Sequence, residues 1–140
     1  MIAAHFEAVK SIVKAAATGA KAVYDTDAGS APVFPYVVLW GGDVGRFSVD
    51  VAASQDEVAG CIGVTCVAQT AGGARSLQST LADLLDGQVV NVPGRRGFEL
   101  IESEVRPVLV DREVQPISPG GAPRYPFYAV LTYRVESTSL

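Results

Sequence analysis

The chain has 140 residues, 49% of them hydrophobic and 19% charged, which is typical of a globular protein and excludes a disordered one. A formal net charge of -4 argues against general attraction to nucleic acid, and apolar runs such as VFPYVVLW are too short to span a bilayer. We therefore expect one soluble domain over residues 1–140, burying roughly two thirds of the surface of the unfolded chain.

The first twenty residues predict an amphipathic helix. Its apolar stripe is Ile2, Phe6, Val9, Val13 and Ala16. Gly19 is positioned to end the helix. Because Glu7 and two lysines interrupt the segment and it has no continuous apolar core, we expect no secretory signal here.

A polar connection and a first strand follow this helix. Residues 22–32, AVYDTDAGSAP, are rich in Asp, Gly, Ser and Pro and predict a loop. Residues 34–40 then predict a strand that is apolar on both faces. This pattern indicates either a central strand covered on both sides or one face committed to a partner molecule, and the sequence leaves both open.

A glycine-rich turn is predicted after the first strand. Gly41, Gly42 and Gly45 surround Asp43, and RFSVDV then alternates between polar and apolar residues. We therefore expect residues 34–40 and 46–51 to form a hairpin.

Residues 61–88 change from the period of a strand to that of a helix without a break. The strand pattern is Ile62, Val64, Cys66 and Ala68, and the helix pattern is Leu77, Leu81, Leu84 and Leu85. Gly87 follows the last helical turn as a cap. We expect a strand followed by a helix that packs across the sheet.

The two cysteines, Cys61 and Cys66, lie five residues apart in this predicted strand, so their side chains should point to opposite faces. They are therefore not expected to form a disulfide with each other. We expect reduced, buried thiols in a cytoplasmic setting.

The C-terminal part predicts two more strands and a long loop. FELIESEV alternates, Pro107 then indicates an edge strand or a bend, and residues 115–126, with four prolines, predict a mobile loop. The closing strand has one apolar face, made of Phe127, Ala129, Leu131, Tyr133 and Val135. The expected fold class is α+β, a mainly antiparallel sheet with an N-terminal helix and one mid-chain helix packed on it.

Reactive side chains are few. His5 is the only histidine, no nucleophile motif accompanies it, and we expect an ordinary, partly exposed residue without a Ser/His triad. Glu102 and Glu104 share one face of a predicted strand, extended by Arg106, and such alternating charge is more often solvated or paired than catalytic.

Metal and phosphate sites are also not expected. Asp25, Asp27 and Gly29 resemble the start of a calcium loop, but Ser30 and Tyr36 occupy the positions of its glycine and glutamate. One histidine and two opposed cysteines do not make a zinc site, and GGDVG and TAGGAR lack the lysine and spacing of a P-loop. We expect no cofactor, no metal and no enzymatic activity.

Five segments taken in order resemble the tail terminator proteins of long-tailed bacteriophages, also called tail completion or minor tail proteins. They are the first helix, PVFPYVVLWGGD, RFSVDV, VTCVAQTAGGARSLQSTLADLLDG and YPFYAVLTYRVES. The resemblance spans nearly the whole chain and rests on element order, size and strand and helix patterns. Residues 35–37, Ala74 and Arg75 in the helix, and the aromatic last strand carry most of it.

This resemblance implies a virion protein at the head–tail junction, assembled in the host cytoplasm. Such a protein forms a ring, commonly a hexamer, that caps the tail tube, ends its growth and provides the surface for head joining. Its partners are further copies of itself, the tail tube protein and head completion or connector proteins. The net charge is compatible with DNA passing through the ring without specific binding, and no membrane is involved.

We assign the partner contacts, as a hypothesis, to the PGRRG turn and to the loop of residues 115–126. The residues singled out are Arg95, Arg96, Ser118, Arg124 and Tyr125. Two alternatives remain open: a small α+β enzyme or ligand-binding domain with a pocket between sheet and helices, and a related head-to-tail neck protein.

Overall fold

The computed structural model describes residues 2–29, 32–41, 45–47, 57–111 and 125–138. Within these ranges lie two helices, α1 (Ile2–Ala15) and α2 (Ala71–Leu85). Neither described helix has the length and apolarity needed to cross a membrane. The strands of the described part are β1 (Ala22–Asp25), β2 (Tyr36–Gly41), β3 (Gly45–Phe47), β4 (Glu57–Ala68), β5 (Val89–Val90), β6 (Phe98–Glu99), β7 (Ile101–Val105), β8 (Leu109–Val110) and β9 (Phe127–Ser137).

The main sheet has the order β1-β2-β4-β9-β7, with β3 beside β4 and β8 beside β9. The long strands β4 and β9 form its centre, paired antiparallel from Val58↔Ser137 to Ala68↔Phe127. Strands β5 and β6 form a separate two-stranded ribbon. Two helices on a mostly antiparallel sheet confirm the predicted α+β fold class.

Both helices pack on one face of this sheet. Side chains alternate along each strand, so every second residue of β2, β4 and β9 points into the layer between sheet and helices. This core contains Val9 and Val13 of α1, Leu77, Leu81 and Leu85 of α2, and the strand residues Val37, Leu39, Ile62, Val64, Cys66, Leu131, Tyr133 and Val135. The single apolar face predicted for β9 is part of it.

Helix α2 is capped at its beginning, and it ends before Gly87 as predicted. The Thr70 side chain caps the first turn by accepting a hydrogen bond of 3.0 Å from the Gly73 amide. Past the other end, Gly87 adopts a φ of +75°, which favours glycine, and its N–H donates to the Leu100 carbonyl at 3.0 Å. The strand-then-helix prediction for residues 61–88 is thereby confirmed.

The predicted stripe of α1 is correct at Val9 and Val13 but not at its beginning. His5 is fully buried and Phe6 only partly. The stripe therefore runs through His5, and the prediction of a partly exposed histidine is wrong. Residues 5, 9 and 13 are spaced by four and lie on the same face of the helix. The burial of Val9 and Val13 therefore also places His5 in the core.

Residues 22–25 are not a loop. They form β1, which pairs parallel to β2 from Ala22↔Tyr36 to Asp25↔Leu39. Val23 and Tyr24 are good strand formers, and the turn-rich residues after them masked that signal. This pair is the parallel exception in an otherwise antiparallel sheet.

The predicted hairpin between β2 and residues 46–51 is wrong at residues 46 and 47, and residues 48–51 lie outside the described residues. Strands β2 and β3 both pair antiparallel with β4, so they run in the same direction along one side of it. Between the pairs Gly41↔Ile62 and Gly45↔Ala59 the register advances by one residue. Gly41, the last residue of β2, has a φ of +84°, which favours glycine.

Candidate interaction surface

The sheet face opposite the helices is the first candidate, and we name it the open face. No described helix packs on it. Its members alternate with the core residues along four strands: Tyr24, Tyr36, Val38, Trp40, Thr65, Val67, Tyr128, Val130 and Thr132. Strand β2 thus has one face in the core and the other on a surface rich in aromatic and β-branched side chains.

Trp40 lies flat across the middle of the open face. It pairs with Gly63, where an added Cβ would lie 2.1 Å from the indole carbons. The indole Nε1–H donates to Thr65 Oγ1 at 2.9 Å, and the side chain remains 36% exposed. Glycine below and threonine beside it hold the ring rigidly, which is how aromatic contact residues are positioned before binding.

An aromatic group lies at the β1–β2 end of the open face. The rings of Tyr24 and Tyr36 meet edge to face with centroids 5.5 Å apart, and Phe34 lies 5.3 Å from Tyr36. The Tyr24 hydroxyl accepts a hydrogen bond from the Val33 N–H at 3.2 Å. Burial, and then the charge of Asp111, raise the pKa of Tyr36, so its hydroxyl stays protonated.

Arg134 and Glu136 close the open face near the C-terminal end of β9. Arg134 Nη2 lies 2.8 Å from Glu136 Oε1, and both side chains are about half exposed. The open face therefore changes from aromatic at one end to charged at the other. An exposed pair of this kind contributes about 0–1 kcal/mol to folding, so it is free to exchange partners.

The outer strands opposite β1 form a second candidate, which we name the β7–β8 edge. Ile101 and Val105 are each 52% exposed, and Leu109 and Val110 are also exposed. Among the described residues, the strands that carry these apolar side chains pair only with β9. Exposed apolar residues on an unpaired strand edge are typical of a surface that receives another strand.

Glu102 and Glu104 do not share a face of β7, contrary to the prediction. A bulge between them places Glu102 opposite the core residue Tyr133 and Glu104 opposite Thr132 of the open face. Arg106 Nε donates to Glu104 Oε1 at 2.9 Å. The carboxylate pair suggested by the spacing therefore does not form.

A buried polar cluster joins the PGRRG turn to α1 and β9. Arg95 donates from Nε to Ser137 Oγ at 2.8 Å and from Nη2 to the Ser137 carbonyl at 3.0 Å. The same Oγ lies 2.7 Å from His5 Nε2, and the imidazole packs against Phe98 with ring centroids 5.7 Å apart. His5 and Ser137 are both buried, so this serine–histidine contact is structural.

The predicted contact residues lie at two separate places. Arg96 is exposed, and its N–H donates to the Thr138 carbonyl, so it shares the C-terminal end of β9 with Arg95. Tyr125 is partly buried and precedes the other end of β9. The two ends are roughly 34 Å apart for an eleven-residue strand. Ser118 and Arg124 lie outside the described residues.

The two cysteines point to opposite faces, as predicted. Cys66 is buried in the core, whereas Cys61 is exposed, so the expectation of two buried thiols is wrong for Cys61. Burial raises the pKa of the Cys66 thiol to about 12. Within the described ranges no three His, Cys, Asp or Glu side chains come together as a metal site.

Tyr133 carries a buried hydroxyl that finds no hydrogen-bond partner in the described part of the chain. Burial raises the pKa of this phenol, and the charges of Glu102, Asp86 and Asp83 add to the effect. These three carboxylates mark an acidic side of the β7–β8 edge, on the same face of the sheet as the helices.

A shallow groove of about 610 Å³ runs between α1 and residues 88–93. Ala4, Ala8 and Ile12 of α1 line one wall, and Val89, Val90 and Pro93 line the other. The lining also includes Glu7 and Ser11, and the Ser11 hydroxyl donates to the backbone carbonyl of Glu7 at 2.9 Å.

Comparison with known proteins gives a fold relationship. No family model matches the chain, and no curated protein matches it. A solved chain from the "Virion of native gene transfer agent (GTA) particle" is similar over 98% of this chain and 96% of its own length, with a TM-score of 0.72 and 18% identity. This chain therefore shares its fold with a chain of a gene transfer agent virion.

Proposed function

We propose that the protein is a structural component of a phage-like virion and not an enzyme. The observation that carries this proposal is the fold similarity to a chain of the gene transfer agent virion, which covers nearly all of both chains. The β7–β8 edge supports it, because its apolar side chains are exposed to partners, and Trp40 adds exposed aromatic surface on the open face.

Within the virion we propose the role of tail terminator. A ring of identical subunits on the tail tube would end tube growth and present a surface for head-joining proteins. The resemblance of element order to tail terminators supports this role. A closed ring requires two different complementary surfaces on each subunit, and the sheet has two different outer strands, β1 and β7.

We assign the contacts along the ring axis to the two ends of β9. Arg96 at one end, and Tyr125 with the loop of residues 115–126 at the other, would face different partners: the last ring of the tube and the connector. The separation of these ends along β9 supports the assignment. Deletion of residues 118–122 should abolish one of the two joining steps, and normal joining of tails and heads would refute the assignment.

Electron microscopy of particles made without the protein tests the proposed role. We expect tails of uncontrolled length and unattached heads, with normal particles restored when the chain is supplied in trans. Labelled protein should lie at the head-proximal end of the tail. Joined particles with tails of normal length would refute the tail terminator role.

Electron microscopy of the same particles distinguishes the two alternative functions. Tails of normal length that fail to join heads would indicate a neck protein. A virion that never contains the chain would favour the small α+β binding domain, for which the groove between α1 and residues 88–93 is the place to look.

A further inference from the structure

The groove between α1 and residues 88–93 meets an unpaired strand edge. Its lining includes both Val89 and Val90 of β5. Successive residues of a strand point to opposite faces, so a groove that touches both of them meets the β5–β6 ribbon at its edge and not on one face. No described strand other than β6 pairs with β5. The groove therefore runs along the free edge of β5.

The backbone of β5 offers hydrogen-bonding groups at this free edge. The Leu100 N–H donates to the Gln88 carbonyl at 3.0 Å. Bonded pairs alternate along an antiparallel ladder, so Val90 bonds to Phe98, whereas the backbone groups of Val89 point away from β6. The Val89 N–H has no acceptor among the described residues, and the Val89 carbonyl accepts the exposed side-chain amide of Gln88 at 3.2 Å. The edge thus offers one donor and one easily exchanged acceptor.

Small side chains on the opposite wall leave space beside this edge. Ala4, Ala8 and Ile12 recur every four residues, so they lie along one side of α1. The groove holds about 610 Å³, which is within the roughly 300–1,000 Å³ of natural ligand sites. The Val89 side chain at its border is 49% exposed. An unpaired strand that borders such a groove is the feature by which binding sites take up an extended peptide as an added strand.

The charge of the groove comes from one carboxylate. Glu7 is the charged residue among those that line the groove. Its carboxylate lies 3.6 Å from Lys10, whose shorter contact is with Asp25 at 3.3 Å. Because the Glu7 side chain is 59% exposed, its carboxylate is accessible to a cationic group of a bound segment. A Lys or Arg next to Glu7 is therefore favoured over Asp or Glu.

We propose that this groove binds an extended segment of a partner protein, which adds to the free edge of β5. A carbonyl of the segment accepts the Val89 N–H. Alternate apolar side chains of the segment pack against Ala4 and Ala8, and a Lys or Arg lies next to Glu7. This peptide site is additional to the proposed virion role and does not depend on it.

A display library of short random peptides is the probe for this site. Peptides selected on the native chain should alternate apolar residues and should contain Lys and Arg more often than Asp and Glu. Ala8→Leu fills the groove, so it should weaken the binding of a selected synthetic peptide at least about tenfold in titration calorimetry. The matched control is Ala15→Leu, which makes the same change on α1 outside the groove lining and should leave the affinity unchanged.

Amide hydrogen exchange tests the backbone contact. The Val89 N–H should exchange quickly in the free chain and at least about tenfold more slowly when the peptide is bound. The Val90 N–H bonds to Phe98 in both states and serves as the internal control. If Ala8→Leu unfolds the chain, Val89→Pro replaces it. That substitution removes the outward N–H and no ladder bond, so it should weaken peptide binding as strongly.

Three results would overturn the proposal. They are a library that yields no peptide, selected peptides whose binding is insensitive to Ala8→Leu or leaves Val89 unprotected, and selected peptides without alternation. A native chain that self-associates and protects Val89 without peptide would also overturn it, because the occupant would then be a second copy. Peptide binding in this groove by a chain that is absent from virions would keep the site and refute the virion role.

Discussion

Trp40 and Gly63 depend on each other: the indole lies on the backbone of Gly63 at a distance that leaves no room for a Cβ. An unsubstituted strand residue below the ring lets a large aromatic side chain lie parallel to the sheet. The bond from the indole Nε1 to Thr65 then fixes its orientation. The open face thus has a rigid aromatic centre that depends on one glycine.

Substituting Gly63→Ala should displace the indole. We expect a loss of about 1–3 kcal/mol in the free energy of unfolding, as for other overpacked sites. Because Trp40 is the only tryptophan, its fluorescence should report the movement directly. Gly72→Ala is the matched control, since a Cβ there has no neighbour within 4 Å, and it should leave stability equal or slightly higher. Unchanged fluorescence and stability in Gly63→Ala would contradict the packing described.

Substituting Ser137→Ala should break the bridge between α1, β9 and the PGRRG turn. The change leaves the buried His5 and the partly buried Arg95 without the hydroxyl that joins them, which costs about 1–3 kcal/mol. Urea unfolding measures the difference. Ser11→Ala serves as control, because that hydroxyl is exposed and its bond to the Glu7 carbonyl should contribute less than about 0.5 kcal/mol. Equal effects of the two substitutions would argue against the buried bridge.

Thiol labelling should distinguish the two cysteines. Cys61 is exposed and should react with a thiol reagent in the folded protein, whereas Cys66 should react only after unfolding. A Cys61→Ala variant should therefore show no fast-labelling thiol, and a Cys66→Ala variant should show one. Two fast thiols in the native chain would contradict the burial of Cys66.

Alkaline pH should destabilise the fold through Cys66. Burial raises its pKa from 9.0 to about 12, so its contribution is fully present below pH 9, where the thiol is protonated in both states. Above that value the unfolded chain releases the proton first, and stability falls as the pH rises towards about 12. Tyr133, whose pKa burial also raises, adds to the loss above its ordinary value of 10.0.

The expected loss from Cys66 across this window is on the order of 4 kcal/mol. Urea unfolding at a series of alkaline pH values measures it. The pH dependence should be shallower in Cys66→Ala and unchanged in Cys61→Ala. The same slope in both variants would show that other groups cause the effect.

The elements predicted well from the sequence are those in which the buried residues recur at the regular spacing of a helix or a strand. Leu77, Leu81 and Leu85 recur at helical spacing, and the alternating residues of β4 and β9 each lie on one face, so local pattern and tertiary position agree. These elements establish the fold class. The capping residues Thr70 and Gly87 mark the helix boundaries for equally local reasons.

The errors arise where a distant contact decides the structure. His5 is polar but lies in the stripe of Val9 and Val13, and its partner Ser137 is 132 residues away. Strand β3 pairs with β4 and not with β2, so the partner of this segment is set by a strand that follows it in the chain. The β7 bulge has no local signature, and it separates the faces of Glu102 and Glu104.

For the candidate surfaces, the sequence indicated that the strand of residues 34–40 is apolar on both faces. It did not decide whether the second face is covered within the chain or contacts a partner. In the structure the second face of this strand is part of the open face, on which no helix of the described part of the chain packs. The exposed row on β7 and β8 was missed. Pro107 had already indicated an edge there, and the apolar residues on both sides of it were the signal that could have revealed the row.

The bulge in β7 also bears on solubility. A long, flat, apolar strand edge lets molecules add to one another without limit and aggregate. In this chain the register shift between Glu102 and Glu104, followed by Pro107 a few residues later, divides the exposed edge into short pieces. We expect ladders on this edge to stay short, which would limit fibrous aggregation of the free chain.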